Sequence, residues 1–160
     1  MSTTATGAAG NATHRWRLWR CWDEALPVVV FVMLNPSTAD VEVNDPTVRK
    51  CIAYAKAWGY GRLEVRNLFD LRATDPRDLL RSAAPKSEWC DDAIRHAVVA
   101  RDVVAAWGND GKHLGRGMWV AREMLKPNAT HLWHLGLTKT GHPKHPLYLR
   151  NDVQRTEWTP

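Results

Sequence analysis

The sequence predicts an α/β fold of three layers, a central and mostly parallel four-stranded sheet between helices, with an N-terminal β-hairpin at its edge. Three observations predict it. Short apolar runs recur at residues 28–34, 62–69, 102–107 and 130–135. Segments of helical character separate them, and a strand–helix–strand order joined by right-handed crossovers makes neighbouring strands parallel. The first run, VVVFVML, shows no polar alternation, as a strand buried on both faces requires.

The elements follow in order. Residues 1–13 are small and polar without periodicity, and read as a flexible tail ahead of a single domain spanning 14–160. RWRLWRCW, residues 15–22, then a turn over 23–27, reads as a hairpin that feeds an edge strand into the sheet; the spacing of Trp16, Trp19 and Trp22 also suits a short amphipathic helix. Asn44-Asp45-Pro46 has the form of a helix start, and Val48, Ile52, Ala55 and Ala57 give a stripe that ends near Trp58-Gly59. Thr74-Asp75-Pro76 caps a short helix through Leu80. Residues 87–100 read as a helix with Trp89, Ile94, Ala97 and Val98 inward, and 117–125 as another. Gly136 opens a long polar loop that runs to Tyr148.

Composition bounds the function. A chain of 160 residues builds one core, and its net charge of +5 suits an anionic partner such as nucleic acid or simply a basic surface. The longest apolar run is far short of the ~20 residues of a membrane helix, and no basic-then-apolar leader is visible, so the expected location is the cytoplasm. Three scattered cysteines agree with that and exclude a four-cysteine metal or iron–sulfur site within one chain. His131 and His134 lie three apart on a strand and point to opposite faces. His142 and His145 share a loop, but spacing supplies no third ligand, so neither a metal nor any other cofactor is expected. A P-loop, a dinucleotide glycine fingerprint and the zinc-deaminase signature are absent.

In a parallel sheet, ligands bind beyond the carboxyl ends of the strands. There this chain places polar clusters: Asn35, Pro36, Ser37, Thr38 and Asp40 after the first strand; Asn67, Asp70 and Arg72 after the second; Trp107-Gly108-Asn109-Asp110 after the third; and the segment 138–146, rich in Thr, Lys and His, after the fourth. Each also has the composition of an ordinary turn. Arg15, Arg17 and Arg20 either track phosphates beside stacking tryptophans or stay solvated while the tryptophans cover the sheet.

The motifs LNPSTAD, NDPT, NLFDLRATDP, AAWG and GHPKHPLYL resemble a bacterial and phage family known as domain of unknown function 1643. More distantly, the same motifs are similar to those of the uracil-DNA glycosylase superfamily. Met33 to Ser37 resembles its Gly-Ile-Asn-Pro-Gly motif, residues 63–76 its strand ending in a base-reading Asn, residues 103–108 its apolar strand ending in Trp-Gly, and residues 145–149 its His-Pro-Ser-Pro-Leu motif. Ser37 stands where the first motif ends in Gly, and Leu147 and Tyr148 where the last has Ser and Pro.

That resemblance implies a monomeric, cofactor-free hydrolase that flips a modified or damaged pyrimidine out of DNA and breaks its N-glycosidic bond. Asn35 would position water, His145 would donate to the departing base, and Asp40 or Asp45 would supply the carboxylate an amide cannot replace. Asn67 would read the base, with Pro36, Ser37 and Phe69 completing its pocket. Arg72, Lys139, Lys144 and Arg150 would meet phosphates, and Tyr148 or Leu149 would fill the gap left in the stack. The same features also suit a non-catalytic nucleobase- or nucleic-acid-binding module, or an enzyme acting on free or hypermodified phage nucleotides.

Overall fold

The computed structural model describes residues 5–37 and 39–160. It is a mixed α/β fold with one seven-stranded sheet, ordered β1-β2-β4-β3-β5-β6-β7. The strands are β1 (Ala5–Gly10), β2 (Arg15–Cys21), β3 (Val28–Met33), β4 (Arg62–Asn67), β5 (Asp102–Ala105), β6 (His131–His134) and β7 (Thr156–Glu157). The four expected runs are β3, β4, β5 and β6, and they pair in parallel. β1, β2 and β7 add antiparallel strands at the two sides, so the sheet is wider than expected.

Two N-terminal expectations are corrected. Ala5–Gly10, inside the expected tail, is a strand paired with β2 along its length, whereas residues 1–4 lie outside the described residues. Its small residues are the reason: a β-carbon on Gly7 would fall 2.2 Å from the Trp19 ring, so only a bare backbone lets that indole lie across β1. Nor does the hairpin join β2 to β3. It joins β1 to β2, and β2 then pairs with β4. The chain between Cys21 and Val28 steps past the start of β4, where a β-carbon on Gly61 would fall 1.8 Å from the Asp23 carbonyl oxygen.

Helices cover the sheet. α1 (Pro46–Ala57) begins where Asp45 Oδ1 accepts the Val48 amide at 2.8 Å and proline occupies the first turn, a strong N-terminal signal. Its buried residues are Val48, Cys51, Tyr54 and Ala55, while Ala57 of the expected stripe is exposed. They meet Val29, Phe31, Met33, Leu63 and Val65. α2 (Pro76–Arg81), capped by Asp75, contributes Leu79 to a second cluster. α3 (Cys90–Val98) and a helical run made of α4 (Arg116–Val120), a π-helical stretch (Ala121–Leu125) and α5 (Lys126–Asn128) join that cluster, with Val30, Val32, Val103, Ala105 and Leu132. Successive residues of β3 thus enter opposite clusters, and Val29 to Val32 are all fully buried. This explains the unbroken apolar run: neither face of β3 meets water.

Trp89, expected inward, is 46% exposed and lies against Trp16, ring centroids 4.7 Å apart. The three cysteines are buried thiols. Among the described residues no helix is long and apolar enough to cross a membrane.

Ile94 has no exposed surface and sits where α3 meets the sheet. Ile94→Ala is expected to cost about 2–5 kcal/mol, the usual range for emptying a buried aliphatic site. Urea unfolding checks it, with the midpoint falling and the slope unchanged.

Candidate functional site

A cavity of about 580 Å³ opens beyond the carboxyl ends of β3, β4 and β5, a size that suits a small organic ligand. Asn35, Asn67 and His145, remote in the chain, all line it, as do Pro36, Ser37, Asp45 and Tyr148. Thr38 lies outside the described residues. Trp107, Gly108, Asn109 and Asp110, following β5, form another wall.

Asn35 holds the exits of β3 and β4 together. Its Nδ2 donates to the carbonyl oxygens of Ala73 at 2.7 Å, Pro36 at 3.0 Å and Leu71 at 3.4 Å. The Ala73 amide returns a bond to the Pro36 carbonyl at 3.1 Å. Three carbonyls accept and never donate, so they fix the amide with its nitrogen toward the chain and Oδ1 as the only group left for another partner. Asn35 is therefore a brace first, and its amide nitrogen is not available to a ligand.

Asp45 is engaged through both oxygens, Oδ1 at the start of α1 and Oδ2 accepting the Ser37 hydroxyl at 2.6 Å. The alternative carboxylate, Asp40, does not line the cavity. It accepts the amides of Glu42 and Val43, which hold its carboxyl below the ordinary range.

Asn67 ends β4 and is buried, and no side-chain hydrogen bond links its amide to any described residue. Its donor and acceptor both remain available on the cavity wall. His145 arrives from the loop after β6. Gly136 and Gly141, with φ of +115° and +83°, turn that loop back on itself. The Lys144 amide donates to Gly136, and the Gly108 amide donates to the Pro143 carbonyl at 2.7 Å, tying the loop to the end of β5. His145 Nδ1 then accepts the Leu147 amide at 3.2 Å, so the neutral ring carries its proton on Nε2. Burial pushes the His145 imidazole below its ordinary value of 6.5, opposed in part by the Asp45 charge.

One residue that the sequence reading did not assign to the site is Arg15. Both Arg15 and Arg20, on β2, are buried, which corrects the expectation of solvated arginines. Arg20 donates to Asn44 Oδ1 at 2.8 Å, to the Asp40 carbonyl at 2.6 Å and to the Trp19 carbonyl at 2.9 Å, holding the loop ahead of α1. Arg15 lines the cavity instead. A β-bulge places it there. β1 pairs Ala9 with Arg17 and Gly10 with Arg15, leaving Trp16 as an extra residue. Trp16 and Arg17 consequently both face α3, and Arg15 turns to the side of Leu18 and Val65. Spacing alone carries no signal of such a bulge.

Other expected site residues lie elsewhere. Phe69 is buried in the core beside His113 rather than in the pocket. Leu149 packs on the α1 side of the core, and its carbonyl accepts Lys50 Nζ, so it is not a protruding wedge. Arg150 is exposed and paired with Asp152 at 3.0 Å. Arg72, Lys139 and Lys144 are exposed and outside the cavity lining, whereas Tyr148 stands 92% exposed on its rim. Asp70 is fully buried and accepts the amide and hydroxyl of Ser87.

A second groove, of about 550 Å³, lies on the α3 side. Its charged floor is tied together by Glu64, which accepts from Arg17, Arg62 and Arg66 and leaves the cluster net basic. Among the described residues, no cluster of three or more His, Cys, Asp or Glu side chains is placed to hold a metal ion.

Two outcomes follow from this geometry. Asn35→Asp, which sets a carboxylate oxygen against three carbonyls, is expected to destabilise the fold by about 2–4 kcal/mol, measured by thermal and urea unfolding. His145 titrates below 6.5 in the folded chain and near 6.5 unfolded, so the unfolded state binds the proton first as pH falls. Its contribution to stability is complete above pH 6.5 and declines as pH drops through the folded value. Imidazole NMR titration checks the midpoint, and His145→Gln is expected to flatten the stability–pH curve in that window.

No curated protein and no solved structure matches the chain. The model of one family does match, over residues 15–147, most of the sheet and the whole cavity wall up to the His145 loop. The chain belongs to that family, DUF1643, described as a protein of unknown function.

Proposed function

We propose that this chain hydrolyses the N-glycosidic bond of a modified or damaged pyrimidine nucleotide, in the manner of a DNA glycosylase of the uracil-DNA glycosylase superfamily. The observation that carries the reading is the meeting of Asn67 and His145 on one cavity, the first with an amide that has no side-chain hydrogen bond among the described residues and the second with its proton on Nε2.

The chemistry needs little else. Breaking the bond leaves positive charge on the sugar and negative charge on the departing base, an oxocarbenium-like transition state. The Asn67 amide offers a donor and an acceptor, the pattern that pairs with the edge of a pyrimidine. The Nε2–H of a neutral imidazole, held by the Leu147 amide, donates to the base oxygen as charge gathers there, and being fixed it needs no reorganisation. Asp45 lies on the same wall as a carboxylate that stabilises the sugar cation and accepts a proton from water. Asn35 Oδ1 is left to hold that water. Tyr148, exposed on the rim, fills the gap left by a flipped nucleotide.

Mass spectrometry of bases released from single- and double-stranded DNA carrying modified pyrimidines tests this. One or more bases are expected in solution with matching abasic sites, and His145→Ala is expected to slow release about 10²–10³-fold, the usual weight of one donor to a developing anion. No base released from any substrate, or an undiminished rate in His145→Ala, would overturn the reading.

A further inference from the structure

Four arginines of the described chain are buried: Arg15, Arg20, Arg66 and Arg116. Three have hydrogen-bond partners. Arg20 is spent on the loop ahead of α1, Arg66 donates to Glu64 at 2.9 Å and to the Ala93 carbonyl at 2.9 Å, and Arg116 donates to the Leu68 carbonyl at 2.8 Å and to Asp91. Arg15 differs. Only 5% of it is exposed, its Nε and Nη1 are sealed from solvent, and neither has a hydrogen-bond partner among the described residues. No ion pair within 4 Å joins it to Asp45, the carboxylate of the same cavity, and the charges of Asp45 and Asp40 offset its burial only in part. The nearby charge of Arg72 adds repulsion; burial and that repulsion lower the Arg15 guanidinium to about 10, still a cation at neutral pH.

A buried cation without a partner is costly, and a fold seldom retains one without compensation. The β-bulge at Trp16 makes the placement specific, because it is what turns Arg15 toward the cavity. The amino end of α1 opens on the same wall through Pro46, Thr47 and Val48, but Asp45 already caps it, so Arg15 is the cation this wall offers a ligand. A guanidinium fork matches the oxygens of a phosphate.

We infer that Arg15 is the anion-binding residue of this cavity and that it takes a phosphate group of the ligand, the phosphomonoester of a free nucleotide or the phosphodiester of a strand. The placing of the attached base against Asn67 and His145 rests on the proposed function; the phosphate at Arg15 does not. Asn67 and His145 select the base, and Arg15 separates a nucleotide from a nucleoside.

Calorimetric titration of the full chain tests this with inorganic phosphate, thymidine, deoxythymidine 5′-monophosphate and a thymidine trinucleotide. Phosphate is expected to bind, and the monophosphate to bind at least tenfold more tightly than thymidine. A trinucleotide that binds as tightly as the monophosphate identifies the strand phosphodiester; a weaker one identifies the free phosphomonoester. Arg15→Met is expected to abolish phosphate binding and the tenfold preference, leave thymidine unchanged, and melt no lower than the parent, since it removes a buried charge whose desolvation is only partly offset. Arg15→Lys, which keeps the charge but loses the fork, is expected to bind phosphate with intermediate affinity. Absence of phosphate binding, equal affinity for thymidine and its monophosphate, phosphate binding retained in Arg15→Met, or a lower melting temperature in that variant would each overturn the inference. Arg15-dependent phosphate binding in a chain that releases no base from DNA would leave the phosphate site standing and remove the glycosylase reading. Base release untouched by Arg15→Met would do the reverse.

Discussion

One side-chain amide governs the shape of the cavity. Asn35 sits where the fully buried β3 ends, and its nitrogen gathers the carbonyls of Pro36, Leu71 and Ala73. Two strand exits that would otherwise diverge are held side by side. With them come Ser37 on one lip and Thr74 and Pro76 on the other, and the cavity forms between. The knot extends to β2: the Arg15 amide donates to the Asp70 carbonyl, the Arg72 amide donates to Thr13, and His14 bridges Leu71. Buried backbone groups must find partners, and at this sheet edge the side chain of Asn35 supplies what a continuing strand would have supplied.

The remaining walls are set by different physics. The loop carrying His145 is positioned by backbone bonds through Gly108 and the turns at Gly136 and Gly141, with the Thr140 hydroxyl donating to Asn109 Oδ1 at 2.8 Å. Trp107 is positioned by what is missing around it. A β-carbon on Gly111 would fall 2.0 Å from its ring, and one on Gly117 would fall 2.7 Å away. The opposite edge of the ring meets Trp158, centroids 5.8 Å apart, so the C-terminal strand supports the same wall from behind. A rigid frame of this kind is what preorganised donors need in order to act without rearranging.

Legibility in the sequence tracked the range of the interaction that decided each feature. The four parallel strands were readable because their apolar runs answer to burial on both faces, and α1 because Asp45 and Pro46 mark its start within a few residues. The pairing of β1 was not, since ATGAAG has no hydrophobic pattern and is a strand only because Trp19 lies across it. At the site, Asn35, Asn67 and His145 were expected on one rim, which parallel topology alone places together. Their hydrogen bonds were not readable, and these make Asn35 a brace through its nitrogen, with only its oxygen to spare for water. Leu149 and Phe69 were read from motif position, whereas the core claims both. Arg15 was invisible because one unpaired residue in the β1–β2 ladder decides which way it faces.

That extra residue makes the cavity unusually exposed to a change in chain length. Side chains alternate across a strand, so one residue inserted between Ala9 and Gly10 of β1 would give Trp16 a partner, remove the bulge and turn both Trp16 and Arg15 to the other face. Trp16 would then face the cavity, and Arg15 would point toward α3. An insertion of three nucleotides, altering no other residue, would thus exchange a permanent cation for an indole. Length variation at this point among relatives is therefore a more sensitive indicator of altered ligand choice than any substitution in the cavity itself.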